Sequence, residues 1–179
     1  MKGIIFTKFL ELVEKKFGYS TVESIIKKSE LPNDGAYTSI GTYNFSEMGA
    51  LVHNLHKETK IPIPDLLEVF GAYFFNYLAS NYSHFLERAD GLFEFYNSIH
   101  NHIHVEVIKL YPDAELPEFE TLSTTDDQIV LKYTSERKLG DFAKGLLTKS
   151  AEHFNEKVKV ESKGLNASGT QIQFTIIKL

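Results

Sequence analysis

The chain has no cysteine and no tryptophan among its 179 residues. Without thiols it can form no disulfide and can offer no thiolate to a metal or a redox partner. Positive charge is also short: 19 Lys and Arg stand against 24 Asp and Glu, a net charge of −5. Nucleic acid draws much of its affinity from phosphate neutralisation, so this balance argues against such a partner. The pairs Lys15-Lys16 and Lys27-Lys28 read as solvated helix faces. No apolar run is long enough to span a membrane, and Glu11, Glu14, Lys15 and Lys16 interrupt any amino-terminal signal peptide. A cytoplasmic protein is expected. No nucleophile, base and orienting group occur in a recognisable arrangement, so enzymatic turnover is not expected.

What is present is aromatic: 14 Phe and 9 Tyr within a 42% hydrophobic composition, ample for one domain over residues 1–179. Ordinary core packing and a pocket for a flat ligand explain that richness equally well. Periodicity divides the chain in two. The first part reads as helices: 3–17, a short one after Ser20 with Glu23 closing a capping box, one from Ser46 to Lys60, one entered through Pro64 and running past Leu78, a piece at 83–88, and a long helix over 91–110 capped by Asp90. Residues 31–43 read as a loop. The period then changes to two, giving strands at 119–123, 128–135, 157–162 and 171–177, with a helix at 138–154 inserted among them. The fold class is α+β: amino-terminal helices, then a four-stranded antiparallel sheet with one helix inside it.

Two clusters carry possible chemistry. Alternate residues of a strand share a face, so Ile129, Leu131, Tyr133, Ser135 and Arg137 line up on one side, changing from apolar to donor-rich. A guanidinium fork with two hydroxyls beside it suits a ligand that has an apolar body and carboxylates. Upstream, His100, His102 and His104 fall within the long helix, with His100 and His104 on one face. That pair is either half of a divalent metal site lacking further ligands at fixed spacing, or a structural or exposed pair. The pair His53 and His56, and the single His84 and His153, have no partners that suggest a site.

The opening Met1-Lys2-Gly3-Ile4-Ile5, the run Ile103-His104-Val105-Glu106-Val107, Leu116-Pro117 in the following loop, and Tyr133-Thr134-Ser135-Glu136-Arg137 occur in an order and spacing that resemble the haem nitric oxide/oxygen binding (H-NOX) family, whose members include the haem part of soluble guanylate cyclase. The resemblance covers nearly the whole chain. It implies a haem b enclosed by the fold and coordinated axially by His104. Tyr133, Ser135 and Arg137 would hold its propionates, and Pro117 and Ile5 would press on the ring from opposite sides. His102 would then be exposed, and His100 a packing or hydrogen-bonding residue one turn away.

The same resemblance bears on which gas binds. Oxygen-binding members carry a Tyr in the helix after the Tyr-x-Ser-x-Arg run, and that position is Phe142 here. Supporting polar positions are also filled by Phe, at Phe9 and Phe74. Phe74, Leu78, Phe142 and Leu146 are therefore expected to form an apolar distal wall, unless Asn76 or Tyr77 turns inward. The implied function is a ferrous-haem sensor of nitric oxide, also binding carbon monoxide, in which the gas weakens or breaks the iron–His104 bond. With no output domain in the sequence, the expected partner is a histidine kinase or a cyclic-di-GMP enzyme. The alternatives are an oxygen-binding haem protein, or a haem-free interaction or lipid-binding module.

Overall fold

In a computed structural model that describes residues 1–179, eight α-helices and four strands follow the order read from the periodicity. The helices are α1 (Gly3–Phe17), α2 (Tyr19–Ser29), α3 (Phe45–Thr59), α4 (Ile63–Asn81), α5 (Ser83–Glu87), α6 (Leu92–Ser98), α7 (His104–Leu110) and α8 (Gly140–His153). The strands are β1 (Glu118–Thr124), β2 (Gln128–Thr134), β3 (Val158–Gly164) and β4 (Gln171–Lys178). They pair antiparallel in the order β1-β2-β4-β3, and a bulge between Thr121 and Ser123 shifts the β1–β2 register. No helix is long and apolar enough to cross a membrane.

Two apolar cores result. One gathers α1 to α4 around Phe6, Phe9, Val13, Leu51, Leu55 and Phe70. The other packs Leu92, Phe95 and Tyr96 of α6, with Ala143 and Leu147 of α8, onto Ile129, Leu131, Phe174 and Ile176 of the sheet. Helix α4 contributes to both, through Phe74 in the first and Phe75 in the second.

The helices correct three expectations. Helix α2 starts at Tyr19 behind Gly18, whose φ of 87° makes the bend, and no side chain caps it, so Ser20 and Glu23 form no capping box. The capping box lies instead at α3, where Asn44 accepts from the Ser46 N–H and Glu47 accepts from the Asn44 N–H. Asp90 caps nothing with its side chain, because Gly91 precedes α6 without a side-chain cap. The long helix expected over 91–110 is also not uniform. Residues Ile99–Ile103 form a π-helical turn, and the His104 N–H donates to the Ile99 carbonyl five residues back.

The amino terminus is tied down by the 38–43 loop. The Gly3 and Ile4 N–H groups, which a helix start leaves unpaired, donate to the Gly41 and Ser39 carbonyls at 2.8 and 3.1 Å. Met1 donates its amino group to the Tyr43 carbonyl at 2.7 Å. A Cβ on Gly3 would lie 1.9 Å from the Thr38 carbonyl oxygen, so only glycine permits this approach. Ile4 and Ile5 are thereby held facing the interior between the two cores.

Candidate functional site

Between the cores lies an apolar cavity of about 310 Å³, within the range of small-molecule sites. One wall comes from Ile99, Ile103, His104 and Val107, continued by Leu116, Pro117 and Phe119. Another comes from Ile4 and Ile5 of α1, Phe70, Phe74 and Leu78 of α4, and Phe142 and Leu146 of α8. Tyr133, Ser135 and Arg137 close one rim with Lys2, Asp113 and Glu115. All ten residues singled out in the sequence, Ile5, Phe74, Leu78, His104, Pro117, Tyr133, Ser135, Arg137, Phe142 and Leu146, line this one space. Phe9 does not; it packs edge-on against Phe70 in the helical core, with ring centroids 5.2 Å apart.

His104 is half-buried, and its Nδ1 is a buried side-chain polar atom with no hydrogen-bond partner. Leaving such an atom unpaired costs about 1–3 kcal/mol, so a ligand or ion that satisfies the imidazole has a thermodynamic reason to bind. Burial pushes its pKa down to about 4; nearby His100 pushes the same way and the Pro117 carbonyl opposes. The ring is therefore neutral, with a lone pair to give, at physiological pH. His100 is exposed, its ring 6.4 Å from that of His104, and His102 is exposed as well. No group of three His, Asp or Glu side chains could hold a metal ion by itself. A metal ion held at His104 would need its remaining ligands from outside the chain.

The donor-rich rim is built differently from the alternation read in the sequence. Strand β2 ends at Thr134: Ile129, Leu131 and Tyr133 face inward, and Ser135 then turns the chain, its carbonyl accepting from the Lys138 N–H at 3.2 Å. Ser135 Oγ accepts from the Arg137 N–H at 3.2 Å, so Arg137 reaches the rim from a turn and not from a strand face. The guanidinium donates through Nη1 to the Glu115 carbonyl at 2.9 Å and through Nη2 to the Glu115 carboxylate at 2.5 Å. Burial raises the Tyr133 hydroxyl above its ordinary pKa, so it remains a donor.

On the far wall Asn76 is exposed, while Tyr77 lines the cavity with its ring 5.6 Å from Phe74. Tyr82 and Tyr111, also in the lining, place their hydroxyls 3.5 Å apart across the ends of α4 and α7. Neither stood out in the sequence, because each simply follows the helix it ends. Lys2, Asp113 and Glu115 were missed for a different reason: separations of 111 residues for Lys2–Asp113 and 22 for Glu115–Arg137 leave no local pattern.

The model of the family described as haem-NO-binding matches residues 2–162. The chain belongs to the H-NOX family. It is 45% identical to the unliganded ferrous H-NOX protein of K. algicida, covering 100% of this chain and 97% of that one at a TM-score of 0.97. With an S. oneidensis H-NOX protein solved in its Fe(II)NO state it shares 32% identity, over 100% and 99% of the two chains, at a TM-score of 0.91. With the IWP-051-bound H-NOX of Shewanella woodyi, in the Fe(II)CO state, the identity is 36%, over 100% and 95%, at 0.85. No curated protein matches. H-NOX domains bind haem and serve as gas-sensing rather than catalytic units, and the cavity fits that cofactor: an unpartnered imidazole nitrogen, chiefly apolar walls, and a donor set for carboxylates at one rim.

Proposed function

We propose that residues 1–179 form one cytoplasmic sensor domain that holds haem b and responds to nitric oxide. His104 would hold the iron, and Tyr133, Ser135 and Arg137 would hold the propionates. Pro117 and Ile5 touch the ring, and Phe74, Leu78, Phe142 and Leu146 border the gas. The reading rests on one observation: a buried imidazole nitrogen without a partner in a cavity whose α4 and α8 residues are chiefly apolar. Bound haem would supply a ferrous iron able to take a diatomic gas, and nitric oxide would change how firmly that iron holds His104.

The chain's own residues convert that change into motion. His104 opens α7 and closes the π turn through its N–H on Ile99. A change in the pull on its imidazole therefore acts where the helix already departs from α register. Beyond α7, the Tyr111–Pro117 loop is held to Lys2 by Asp113 and to Arg137 by Glu115, so movement of α7 reaches both the amino terminus and the sheet. A partner need only distinguish the two states, and a coupling of about 1–3 kcal/mol is typical. We assign that role to a histidine kinase or a cyclic-di-GMP enzyme, with carbon monoxide as a further ligand of the iron, as in the Shewanella structures solved in the Fe(II)CO state.

The test is an anaerobic absorption spectrum of the reduced, haem-loaded protein before and after nitric oxide, with His104→Gly as control. A histidine-ligated spectrum that converges on that of the variant once nitric oxide is added supports the reading. Histidine ligation persisting after nitric oxide removes the trigger, and a variant indistinguishable from wild type before the gas removes the ligand assignment. Tyr77 in the cavity wall favours one second reading, reversible oxygen binding through its hydroxyl. Oxygen uptake that is lost in Tyr77→Phe would select it.

A further inference from the structure

The 111–117 loop meets the cavity rim with two carboxylates. Asp113 accepts from Thr42 Oγ1 at 2.5 Å and from Lys2 Nζ at 3.2 Å, and Glu115 accepts from Arg137 at 2.5 Å. The two pairs differ in how they are held. Lys2 Nζ has further acceptors at the Ile40 carbonyl and Thr42 Oγ1, at 3.0 and 2.8 Å. The Arg137 side chain donates only to Glu115, through its backbone and its carboxylate. Within that pair the cation is fixed in the wall, its side chain 18% exposed, whereas the Glu115 side chain is 83% exposed. The anion is the partner free to leave. A carboxylate arriving from the cavity side presents the same planar acceptor that Glu115 does, and a guanidinium has a limited set of in-plane donors for such acceptors.

We propose that Glu115 is an internal competitor for the Arg137 clamp, a carboxylate of the chain itself that a ligand carboxylate must displace before Arg137 can hold it. This rests on the haem reading above. Two consequences follow from the geometry. Loading becomes selective for ligands that carry carboxylates at that edge, since an uncharged ligand cannot exchange with Glu115. Loading also reaches the loop bearing Pro117, because the side-chain half of its attachment to the sheet is released while the backbone half, Arg137 Nη1 to the Glu115 carbonyl, remains.

Glu115→Gln tests this, since Gln keeps the size and the acceptor and removes the charge. The full chain, prepared free of haem, is titrated with ferrous haem under carbon monoxide and, separately, with the haem dimethyl ester, whose propionates carry no charge. An exposed ion pair is worth about 0.2–1 kcal/mol, so Glu115→Gln should tighten haem binding by roughly 1.5- to 5-fold. The ester should bind wild type and variant alike. In an Arg137→Gln background the gain should vanish, as a pairwise coupling requires.

Unchanged or weaker haem binding in Glu115→Gln overturns the proposal, and so does an equal gain with the ester. A gain that survives Arg137→Gln also overturns it, because general charge repulsion would then be the cause. Failure of the wild-type chain to take up either porphyrin is a different outcome: it removes the haem reading, and the competitor with it.

Discussion

Gly71 lies so close to Phe142 that a Cβ added at position 71 would stand 2.1 Å from the Phe142 carbonyl oxygen. The relationship is reciprocal between the two helices, for a Cβ on Gly145 would stand 2.0 Å from the Glu68 carbonyl oxygen. Two glycines, one on each helix, let α4 and α8 touch backbone to backbone. That contact sets the spacing of Phe74 and Leu78 relative to Phe142 and Leu146 in the cavity wall. Gly145→Ala should therefore part the helices, at a cost of about 1–3 kcal/mol. For a chain of this size each kcal/mol lowers Tm by roughly 2–4 °C. A thermal melt that leaves Tm unchanged would show that the helices absorb the methyl group without separating.

His104→Gly should remove the imidazole proposed to hold the iron. The purified variant is expected to carry little haem, and free imidazole in the buffer should restore it by filling the space the side chain leaves. Haem content measured by absorbance, with and without imidazole, checks this. Full haem content without imidazole would mean that the ring is held by Arg137 and packing alone.

Much of this arrangement was legible in the sequence, and the rest failed for identifiable reasons. Helix α1 matches its apolar period from residue 3 to 17, because Phe6, Phe9 and Val13 fall on the one face that the helix turns to the core. The π turn escaped notice because Ile99, Ile103 and Val107 suit either an α or a π register; polarity does not encode which carbonyl an N–H chooses. The end of β2 was overrun because Ser135 and Arg137 reach the same rim through a turn that mimics strand alternation. Asn44 and Glu47 carry the same capping signal as Ser20 and Glu23, and only the folded chain shows which of the two forms. The rim pairs Lys2–Asp113 and Glu115–Arg137 were beyond reach, since only the folded chain brings them together.

Phe142→Tyr should create a capacity for oxygen. Phe142 packs among Phe70 and Phe74, with ring centroids 5.0 and 5.9 Å away, in a wall that offers few donors. A hydroxyl there has few competitors for its proton other than a bound gas. A hydrogen bond to a charged or strongly polarised acceptor contributes about 1.5–3 kcal/mol, so oxygen affinity should rise by roughly 10- to 150-fold. Oxygen titration of the reduced variant beside wild type is the measurement, and equal affinities would mean that position 142 does not face the gas.

Asp113 gives a pH signature. Hydrogen bonds from Thr42 and then Lys2 hold its carboxyl below the ordinary value of 3.8. A folded-state pKa below the unfolded one means that this contribution is fully present above about pH 5 and is lost as pH falls through the folded value. The difference in Tm between wild type and Asp113→Asn should thus be constant from neutral pH to about pH 5, then shrink toward zero in stronger acid. A difference that does not shrink on acidification would show that the carboxylate charge is not what ties the loop to Lys2 and Thr42.

Tyr96 links the helix leading into His104 to the helix bearing Phe142. Its buried hydroxyl donates to the Leu147 carbonyl at 2.8 Å, and Ser150 Oγ lies 3.3 Å from it. Burial raises its pKa well above that of a free phenol, so the group remains a donor even in mild alkali. In Tyr96→Phe, Ser150 Oγ still donates to the Leu147 carbonyl at 2.8 Å, so that acceptor is not stranded. The loss should therefore be that of one ordinary buried hydrogen bond, about 0.5–1.5 kcal/mol, and not the larger penalty of an orphaned carbonyl. Because the bond joins the helix that leads to His104 to the helix that carries Phe142, the variant should also release carbon monoxide faster than wild type at equal haem content. Denaturant unfolding measures the first effect and ligand replacement kinetics the second. A stability loss with an unchanged release rate would confine Tyr96 to the core and take it out of the path between the two walls.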